Sequence, residues 1–205
     1  KLNILLEGYP GTGKTSLIFA IASYLKMNVA ILNFSRNMDD NNFMRALRTI
    51  PKNTMLVLED IDVLFKERKS NDEARNNLSF SALLNSLDGL GYKPKQITWM
   101  TTNYVCNLDE ALIRPGRIDK SYHFDYANKN QTKEMFLKFY SDTLQDKFMD
   151  FYELVKDIKY TTATLQQFFL GNINSPENIL EQDNIEKFKE NCEKNNYSKK
   201  LDIYM

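Results

Sequence analysis

A glycine-rich stretch near the start of the chain has the residue types and spacing of a phosphate-binding loop. Residues 8–15 read GYPGTGKT and fit the pattern GxxxxGK[ST], with an apolar run before them and an amphipathic segment at 16–26 after them. In such a loop the glycines let backbone N–H groups surround phosphate oxygens, Lys14 neutralises the β- and γ-phosphates, and Thr15 offers its hydroxyl to magnesium. The stretch predicts a site for ATP or GTP with Mg²⁺. The residues predicted to bind the nucleotide are Gly8, Tyr9, Pro10, Gly11, Thr12, Gly13, Lys14, Thr15 and Ser16.

Two adjacent acids, Glu59 and Asp60, follow a second apolar run at residues 55–58. Such a run is typical of a strand buried in a parallel sheet, and its end carries both carboxylates to the edge where open α/β folds bind ligands. There, one acid orders magnesium through its water shell and the other polarises the water that attacks the γ-phosphate. ATPases of this kind usually carry Asp before Glu. Exchanging the two moves each carboxylate by about one methylene, roughly 1.5 Å, which a shifted water or backbone can absorb.

An amide follows a third apolar run. Residues 97–100 are apolar or β-forming, and Thr101, Thr102 and Asn103 come directly after them. If this strand lies between the strands that carry the loop and the acids, the Asn103 amide can hydrogen-bond both the γ-phosphate and the attacking water. The alternative is an Asn that caps a turn at the end of the strand.

The elements that must position these side chains alternate along the first part of the chain. Short apolar runs separated by helical periods favour a parallel sheet with helical crossovers, an α/β fold, up to about Tyr126. The predicted strands cover residues 2–6, 29–32, 55–58 and 97–100. The predicted helices cover residues 14–26, 39–48 and 78–87. His123, between two aromatic residues, is predicted to be a packing or surface residue of an edge strand.

The pattern becomes helical after residue 127. Apolar residues recur at helical spacing through 135–144 and 151–158. Gly171 is predicted to end one helix. Ser175, Pro176 and Glu177 have the order of an N-cap, a first-turn proline and a dipole-favoured acid, and predict a helix that runs towards Asn195. We therefore predict an α/β nucleotide-binding domain at 1–127 and a small all-helical lid domain at 128–205.

Composition limits the classes of function. The chain of 205 residues has 27 basic and 27 acidic side chains, so its formal net charge of +0 gives no reason to expect nucleic acid or an acidic membrane face as a partner. Cys106 and Cys192 are far apart in sequence, which argues against a disulfide framework or a zinc site and favours a reducing compartment. No apolar run approaches the roughly 20 residues that span a bilayer. Because the chain begins at Lys1 and enters a strand at once, we expect an N-terminal part to precede it, with a possible membrane anchor.

Taken together, four motifs resemble the AAA family of ring ATPases. They are GYPGTGKT, LVLEDID, MTTN and ALIRPGRID, in that order along the chain. The Glu-before-Asp order, with LLNSLDGL at 83–90 and TLQQFFL at 164–170, resembles the BCS-type branch, which includes a mitochondrial inner-membrane chaperone that moves the folded Rieske iron–sulfur protein. The resemblance implies a P-loop NTPase three-layer sandwich with a helical lid, and adenine as the base.

The resemblance also implies roles by position. Glu59 and Thr15 support magnesium, Asp60 activates water, and Asn103 senses the γ-phosphate. Arg114 and Arg117 match the family's paired arginines, which reach the γ-phosphate held by the neighbouring subunit of a homo-oligomeric ring; taken alone, two arginines around Pro-Gly are more often a surface turn. In this branch a transmembrane helix and a family-specific domain precede the ATPase part, which makes the mitochondrial inner membrane a candidate location.

Three functions are open at this point. The first is a magnesium-dependent ring ATPase that moves a protein substrate, by conformational pumping rather than threading, because residues 34–40 lack the aromatic-hydrophobic-glycine loop of threading members. Phe34 in that segment is predicted to be a packing residue. The second is a nucleotide-gated assembly module without productive turnover, and the third is a nucleic-acid remodeller, against which the neutral charge argues. Residues 66–75 are predicted to form a solvated mixed-charge loop, with contact to cargo in a central pore as the alternative.

Overall fold

The computed structural model describes residues 1–34, 38–64, 78–88, 96–114, 116–140 and 144–204, with side chains described up to residue 194. Its sheet has five strands in the order β2-β3-β4-β1-β5, and every pairing is parallel. The strands are β1 Leu2–Gly8, β2 Asn28–Asn33, β3 Thr54–Glu59, β4 Ile97–Thr102 and β5 Lys120–Phe124. The predicted parallel sheet is confirmed, and each predicted strand is present with one or more added residues.

The strand order places the chemistry-bearing segments side by side. β4, which precedes Asn103, lies between β1, which leads into the glycine-rich loop, and β3, which ends at Glu59. The expectation of burial on both faces holds for the central strands but is wrong for β2, where Ile31 is 40% exposed. Among the described strands β2 is at the edge of the sheet, beside β3 alone, so fewer described atoms cover its side chains.

Two separate cores cover the two faces of the sheet. Because successive side chains of a strand point to opposite faces, Leu5 and Leu56 belong to a cluster that includes Phe43 and Leu83 of the helices α2 and α3. The intervening strand residues belong to a second cluster with Ile18 of α1. The helices are α1 Lys14–Tyr24, α2 Asp40–Thr49, α3 Phe80–Asp88 and the short α4 Glu110–Ile113. A sheet between two helical layers is the predicted three-layer sandwich.

Local signals explain where α1 and α2 begin and end. α1 stops at Tyr24, before the predicted Lys26, because Lys26 adopts a left-handed φ of 52°. The N–H of Met27 then donates to the carbonyl of Ala22 at 2.9 Å, the pattern of a Schellman ending. At the start of α2 the Asp39 carboxylate accepts the N–H of Asn42 at 2.7 Å, as an N-cap does.

The chain divides into two compact units, and the second consists of Pro10–Thr12 together with Asp125–Met205. Its helices are α5 Lys129–Tyr140, α6 Phe148–Val155, α7 Thr162–Gly171 and α8 Gln182–Tyr204. An aromatic core holds them together, with the Phe136 ring in contact with the rings of Tyr140, Phe148, Phe151 and Phe169. The helical character predicted after residue 127 is confirmed. The proposed boundary between 127 and 128 lies three residues beyond this division.

One predicted helix start is wrong. Ser175 makes no side-chain cap hydrogen bond, and Pro176–Leu180 is a short 3-10 helix that ends at Glu181 in an extended conformation. α8 begins after that interruption, at Gln182. Ile179 is completely buried in the aromatic core, so packing holds the 3-10 segment in place and separates it from α8. The end of α7 at Gly171 agrees with the prediction.

The part of the chain that the structure describes contains no helix long and apolar enough to span a membrane.

Candidate active site

The glycine-rich loop begins at Gly8, the last residue of β1. Gly8 has a φ of 131°, and a Cβ built there would lie 1.9 Å from the backbone oxygen of Phe124 in β5. Only glycine fits this position, because a side chain would meet both a disfavoured backbone conformation and a neighbouring strand. α1 begins at Lys14, directly after Gly13 in the left-handed conformation. The loop thus ends at a helix N-terminus, the arrangement that binds phosphate through backbone N–H groups and the helix dipole.

Lys14 is buried and its ammonium group is fully engaged within the first unit. Its Nζ donates to the carbonyl oxygens of Gly8 at 2.7 Å and Tyr9 at 3.0 Å, and to Oδ1 of Asn103 at 2.8 Å. An ammonium group has three N–H donors. These contacts hold the positive charge between the start of the loop and the tip of β4.

The tip of the loop, Pro10–Thr12, belongs to the second unit. There the carbonyl oxygen of Gly11 accepts hydrogen bonds from the N–H of Ala163 and the hydroxyl of Thr162, each at 3.0 Å. A Cβ on Gly11 would lie 3.1 Å from the Cβ of Ala163. Within the second unit, the start of α7 therefore contacts Gly11. Sequence reasoning assigned no role to Thr162 or Ala163, and only the fold brings them to Gly11.

Glu59 and Thr15 form an oxygen-rich pair. Glu59 is the last residue of β3, and its Oε1 accepts the hydroxyl of Thr15 in the first turn of α1 at 2.9 Å. A carboxylate and a hydroxyl, completed by water, are the ligands that Mg²⁺ prefers. The two residues predicted to support magnesium are thus adjacent, and their chemistry fits that ion.

Asp60 turns sharply away from the end of β3. Its φ of 50° is left-handed, a conformation that Asp tolerates better than most residues. Its N–H donates to Oγ1 of Thr101 at 3.1 Å, and its Oδ1 accepts Nδ2 of Asn103 at 3.0 Å. Partial burial, followed by the charges of Asp62 and Glu59, raises the pKa of the Asp60 carboxyl above its ordinary value, against the smaller opposing effects of Lys14 and Asn103. A carboxylate with a raised pKa is a stronger proton acceptor.

Asn103 bridges the positive and the negative side of this site. Its Oδ1 accepts from Lys14 and its Nδ2 donates to Asp60. This orientation of the amide is the one that matches the charges of both neighbours. The structure therefore joins Lys14, Asn103 and Asp60 in one series of hydrogen bonds, and these direct contacts were not predicted from the sequence.

The two predicted arginines lie apart from that chain of contacts. Arg114 follows α4 and is exposed. The Arg117 guanidinium donates to both carboxylate oxygens of Asp88, from Nε at 2.9 Å and Nη2 at 2.8 Å, and from Nη1 to the carbonyl of Ala111 at 2.7 Å. The hydrogen bonds from Arg117 hold the pKa of the Asp88 carboxyl below its ordinary value, and the Arg117 pKa is raised in turn.

Sequence reasoning missed Asp88 and Asp62. Asp88 is the last residue of α3, where an acid opposes the helix dipole, and that mismatch signals a compensating cation. Asp62 is buried and accepts the hydroxyl of Thr102 at 3.0 Å. The sequence feature that could have indicated Asp62 is the presence of a third acid in the LEDID stretch.

Other predicted residues have ordinary surroundings. His123 lies on the edge strand β5, exposed, with Nδ1 3.8 Å from a carboxylate oxygen of Glu7. Phe34 is partly buried and packs against the ring of Phe43, as predicted. Residues 66–75 lie outside the described residues, as do residues 35–37 of the segment that follows Phe34.

Comparison with known proteins identifies relatives of both units. The model of the ATPase family associated with various cellular activities (AAA) matches residues 4–126, and that of the mitochondrial chaperone BCS1-like ATPase lid domain matches residues 129–184. The chain is 38% identical over 187 residues to the probable mitochondrial chaperone BCS1-A of Dictyostelium discoideum, covering 87% of this chain and 44% of that protein. It is 35% identical over 180 residues to the probable mitochondrial chaperone bcs1 of Schizosaccharomyces pombe, with 86% and 40% covered. It is 34% identical over 182 residues to the human mitochondrial chaperone BCS1, with 84% and 43% covered. The chain thus spans less than half the length of these curated relatives.

Proposed function

This chain belongs to the AAA family of ATPases, in its BCS1-like branch, and from that premise we propose that it acts as a subunit of a ring that couples magnesium-dependent ATP hydrolysis to remodelling or translocation of a protein substrate. The observation that supports this proposal best is the hydrogen-bonded chain Lys14–Asn103–Asp60 beside the Thr15–Glu59 pair. These hydrogen bonds place a cation, an orienting amide and a proton acceptor next to a pair of residues that suit Mg²⁺ as ligands. All of them lie where the parallel strands end, the edge at which α/β folds bind ligands.

We assign nucleotide binding to the loop from Gly8 to Ser16. Its backbone N–H groups and the start of α1 would hold the phosphates, and Lys14 would neutralise the β- and γ-phosphates. Thr15 and Glu59 would hold Mg²⁺, which neutralises charge on the phosphate oxygens when bound. Thr162, by its contact with the Gly11 carbonyl, would hold the backbone of the loop at Gly11.

We assign activation of water to Asp60. A water that donates a hydrogen bond to the Asp60 carboxylate is polarised for attack on the γ-phosphorus, and the carboxylate takes up its proton. Asn103 keeps the Asp60 carboxylate in place and can present its amide to the γ-phosphate, so that it senses whether that phosphate is present. The raised pKa of Asp60 suits it to this task.

We assign the arginine-finger role to Arg114 and Arg117. Members of the AAA family generally assemble into rings, so an arginine of one subunit can reach the nucleotide of the next and stabilise charge in the transition state. Of the five N–H donors of Arg117, three are held by Asp88 and Ala111. Within the part of the chain that the structure describes, one N–H on each terminal nitrogen remains to meet phosphate oxygens of a neighbour.

The protein substrate and the location are inferred from the relatives. Those relatives are named mitochondrial chaperones, which supports a protein cargo and a mitochondrial location for this chain. Anchoring in the inner membrane through a preceding segment is part of the same proposal. The formal net charge of +0 argues against nucleic acid as the substrate.

The test is phosphate release with ATP and Mg²⁺ over a range of protein concentrations, for the wild type and Asp60→Asn. Asn suits this substitution because it tolerates the left-handed backbone of Asp60 and keeps an oxygen for Asn103 while it loses the charge. We expect specific activity to rise with concentration and Asp60→Asn to bind ATP without turnover. ATP binding and assembly without turnover by the wild type would favour the nucleotide-gated module, and stimulation by DNA at low salt would favour a nucleic-acid remodeller.

A further inference from the structure

Asp62 is a buried acid to which the proposed mechanism gives no task. Only 2% of its surface is exposed, and a carboxylate removed from water is unfavourable unless hydrogen bonds compensate for the lost hydration. It lies two residues after Asp60 in the chain, and two of its contacts are with Thr102 at the end of β4 and with Asn103, which follows it.

The contacts of Asp62 fix the backbone around Asn103. Its Oδ1 accepts the hydroxyl of Thr102 at 3.0 Å and, more weakly, the N–H of Asn103 at 3.4 Å. The same Thr102 hydroxyl oxygen accepts the N–H of Tyr104 at 3.1 Å. Three consecutive residues, with Asn103 in the middle, are thereby attached to one carboxylate oxygen, directly or through one hydroxyl.

Hydrogen bonds also run from the segment after β3 to Thr101. The N–H of Asp60 donates to Oγ1 of Thr101 at 3.1 Å, and the N–H of Ile61 donates to the Thr101 carbonyl at 3.0 Å. The ends of β3 and β4 are thus joined by hydrogen bonds in which each side supplies donors and acceptors. The left-handed φ of 50° at Asp60 is unfavourable for a residue with a side chain, and these bonds help to hold it.

From this geometry we propose that Asp62, acting through the Thr102 hydroxyl, is a positioning residue for hydrolysis. It holds the Asn103 amide at hydrogen-bonding distance from the Asp60 carboxylate. This inference rests on the roles proposed above for Asp60 and Asn103. Asp62 itself touches neither nucleotide nor water in the mechanism. Its effect is to keep the Asn103 amide within hydrogen-bonding distance of both Lys14 and Asp60, since a displacement of about 1 Å in such a site can lower the rate roughly 100-fold.

The experiment removes one hydroxyl. Thr102→Val keeps the shape of this buried β-strand residue but leaves Asp62 without the hydroxyl donor and Tyr104 without its acceptor. Thr102→Ser keeps the hydroxyl and serves as the conservative variant. Thr54→Val is the matched control, because Thr54 is also a buried threonine, at the opposite end of β3 and remote from these contacts.

We expect Thr102→Val to lower kcat about 10- to 100-fold, while the affinity for a non-hydrolysable ATP analogue changes less than about threefold because the loop and Lys14 are intact. Thr102→Ser should recover most of the turnover, and Thr54→Val, which also removes a buried threonine hydroxyl, should leave kcat near that of the wild type. In an Asn103→Ala background Thr102→Val should have little further effect, because the residue it positions is gone.

The possible results separate this inference from the proposed function. If Asn103→Ala lowers kcat and Thr102→Val does not, the inference is wrong and the proposed function stands. If Thr102→Val lowers kcat by the same factor with and without Asn103, Thr102 does not act through Asn103 and the inference is again wrong. If wild type lacks turnover or Asn103→Ala leaves kcat unchanged, the role proposed for Asn103 fails and this inference fails with it.

Discussion

The role proposed for Arg117 predicts that its loss will damage catalysis far more than folding. In the folded chain Arg117 is 20% exposed and its partner Asp88 46% exposed, and an ion pair with that access to water contributes about 0 to 1 kcal/mol to stability. The hydrogen bond to the Ala111 carbonyl adds roughly 1 kcal/mol, part of which water replaces. Arg117→Ala should therefore lower the free energy of unfolding by roughly 1 to 2 kcal/mol.

The expected catalytic loss is larger. An arginine finger that acts in trans accounts for about 10³- to 10⁵-fold in rate, roughly 4 to 7 kcal/mol of transition-state stabilisation. The two magnitudes are far enough apart to distinguish a finger from a structural ion pair. Arg45→Ala, at an exposed position in α2, is the control for the loss of one surface arginine.

The decisive assay mixes two inactive variants. Arg117→Ala keeps its own Asp60 but supplies no finger, and Asp60→Asn supplies the finger but cannot activate water. If subunits mix at random in equal amounts, about one quarter of the interfaces combine an intact site with an intact finger, and roughly that share of wild-type turnover should return. If Arg117→Ala is fully active, or if the mixture remains inactive although the two variants co-assemble, Arg117 is not a finger in trans.

Three further predictions concern the rest of the chain. Gly8→Ala should destabilise the protein by more than about 4 kcal/mol in urea unfolding, because the new Cβ would meet the backbone of Phe124. Gly171→Ala, with open space around the new Cβ, should change stability by less than about 1 kcal/mol. Equal stabilities of the two variants would contradict the geometry. Burial raises the pKa of Tyr140 to about 12, so the unfolded chain loses this proton first, and stability should fall by about 1.4 kcal/mol per pH unit between about pH 10 and pH 12. Tyr140→Phe should reduce that slope, and an unchanged slope would refute the assignment. Glu59→Gln should raise the Mg²⁺ concentration needed for half-maximal turnover about tenfold or more while ATP affinity without Mg²⁺ stays within about threefold; an unchanged Mg²⁺ requirement would exclude Glu59 as a magnesium ligand.

The sheet was predictable because its central strands, β1, β3 and β4, are mainly buried and therefore appear in the sequence as short apolar runs. Apolar runs such as 55–58 can only be accommodated between two helical layers, and the run, the acids and the loop together leave little choice of fold. The role predicted for Asn103 required β4 to lie between β1 and β3, and the structure has that order. Exposure at β2 was not predictable, because an edge strand and a central strand share the same apolar pattern.

The sequence alone did not predict which distant segments contact each other. Asp88 and Arg117 are separated by 29 residues, and neither has a partner at helical spacing that would reveal the pair. The error at Ser175 has a similar cause. Its residue types are those of a helix start, but burial of Ile179 in the aromatic core overrides the local preference. Patterns of neighbouring residues thus predicted the candidate site residues. They missed the Asp88–Arg117 contact and the start of α8, which depend on packing between distant segments.

The reversed order of the two acids can be understood from the same geometry. Glu59 is the last residue of an extended strand and must cross to Thr15 at the start of α1; its longer side chain reaches that hydroxyl at 2.9 Å. Asp60 has already left the strand in a left-handed turn, and its shorter side chain stands at 3.0 Å from the Asn103 amide. An Asp at 59 would be about one methylene too short for Thr15, and a Glu at 60 about one methylene too long for Asn103, roughly 1.5 Å in each case. The left-handed backbone also favours Asp over Glu at position 60, because Asp tolerates that conformation better. In this chain the order Glu-Asp is therefore the one that the backbone after β3 accommodates, and it keeps a carboxylate in each of the two proposed roles.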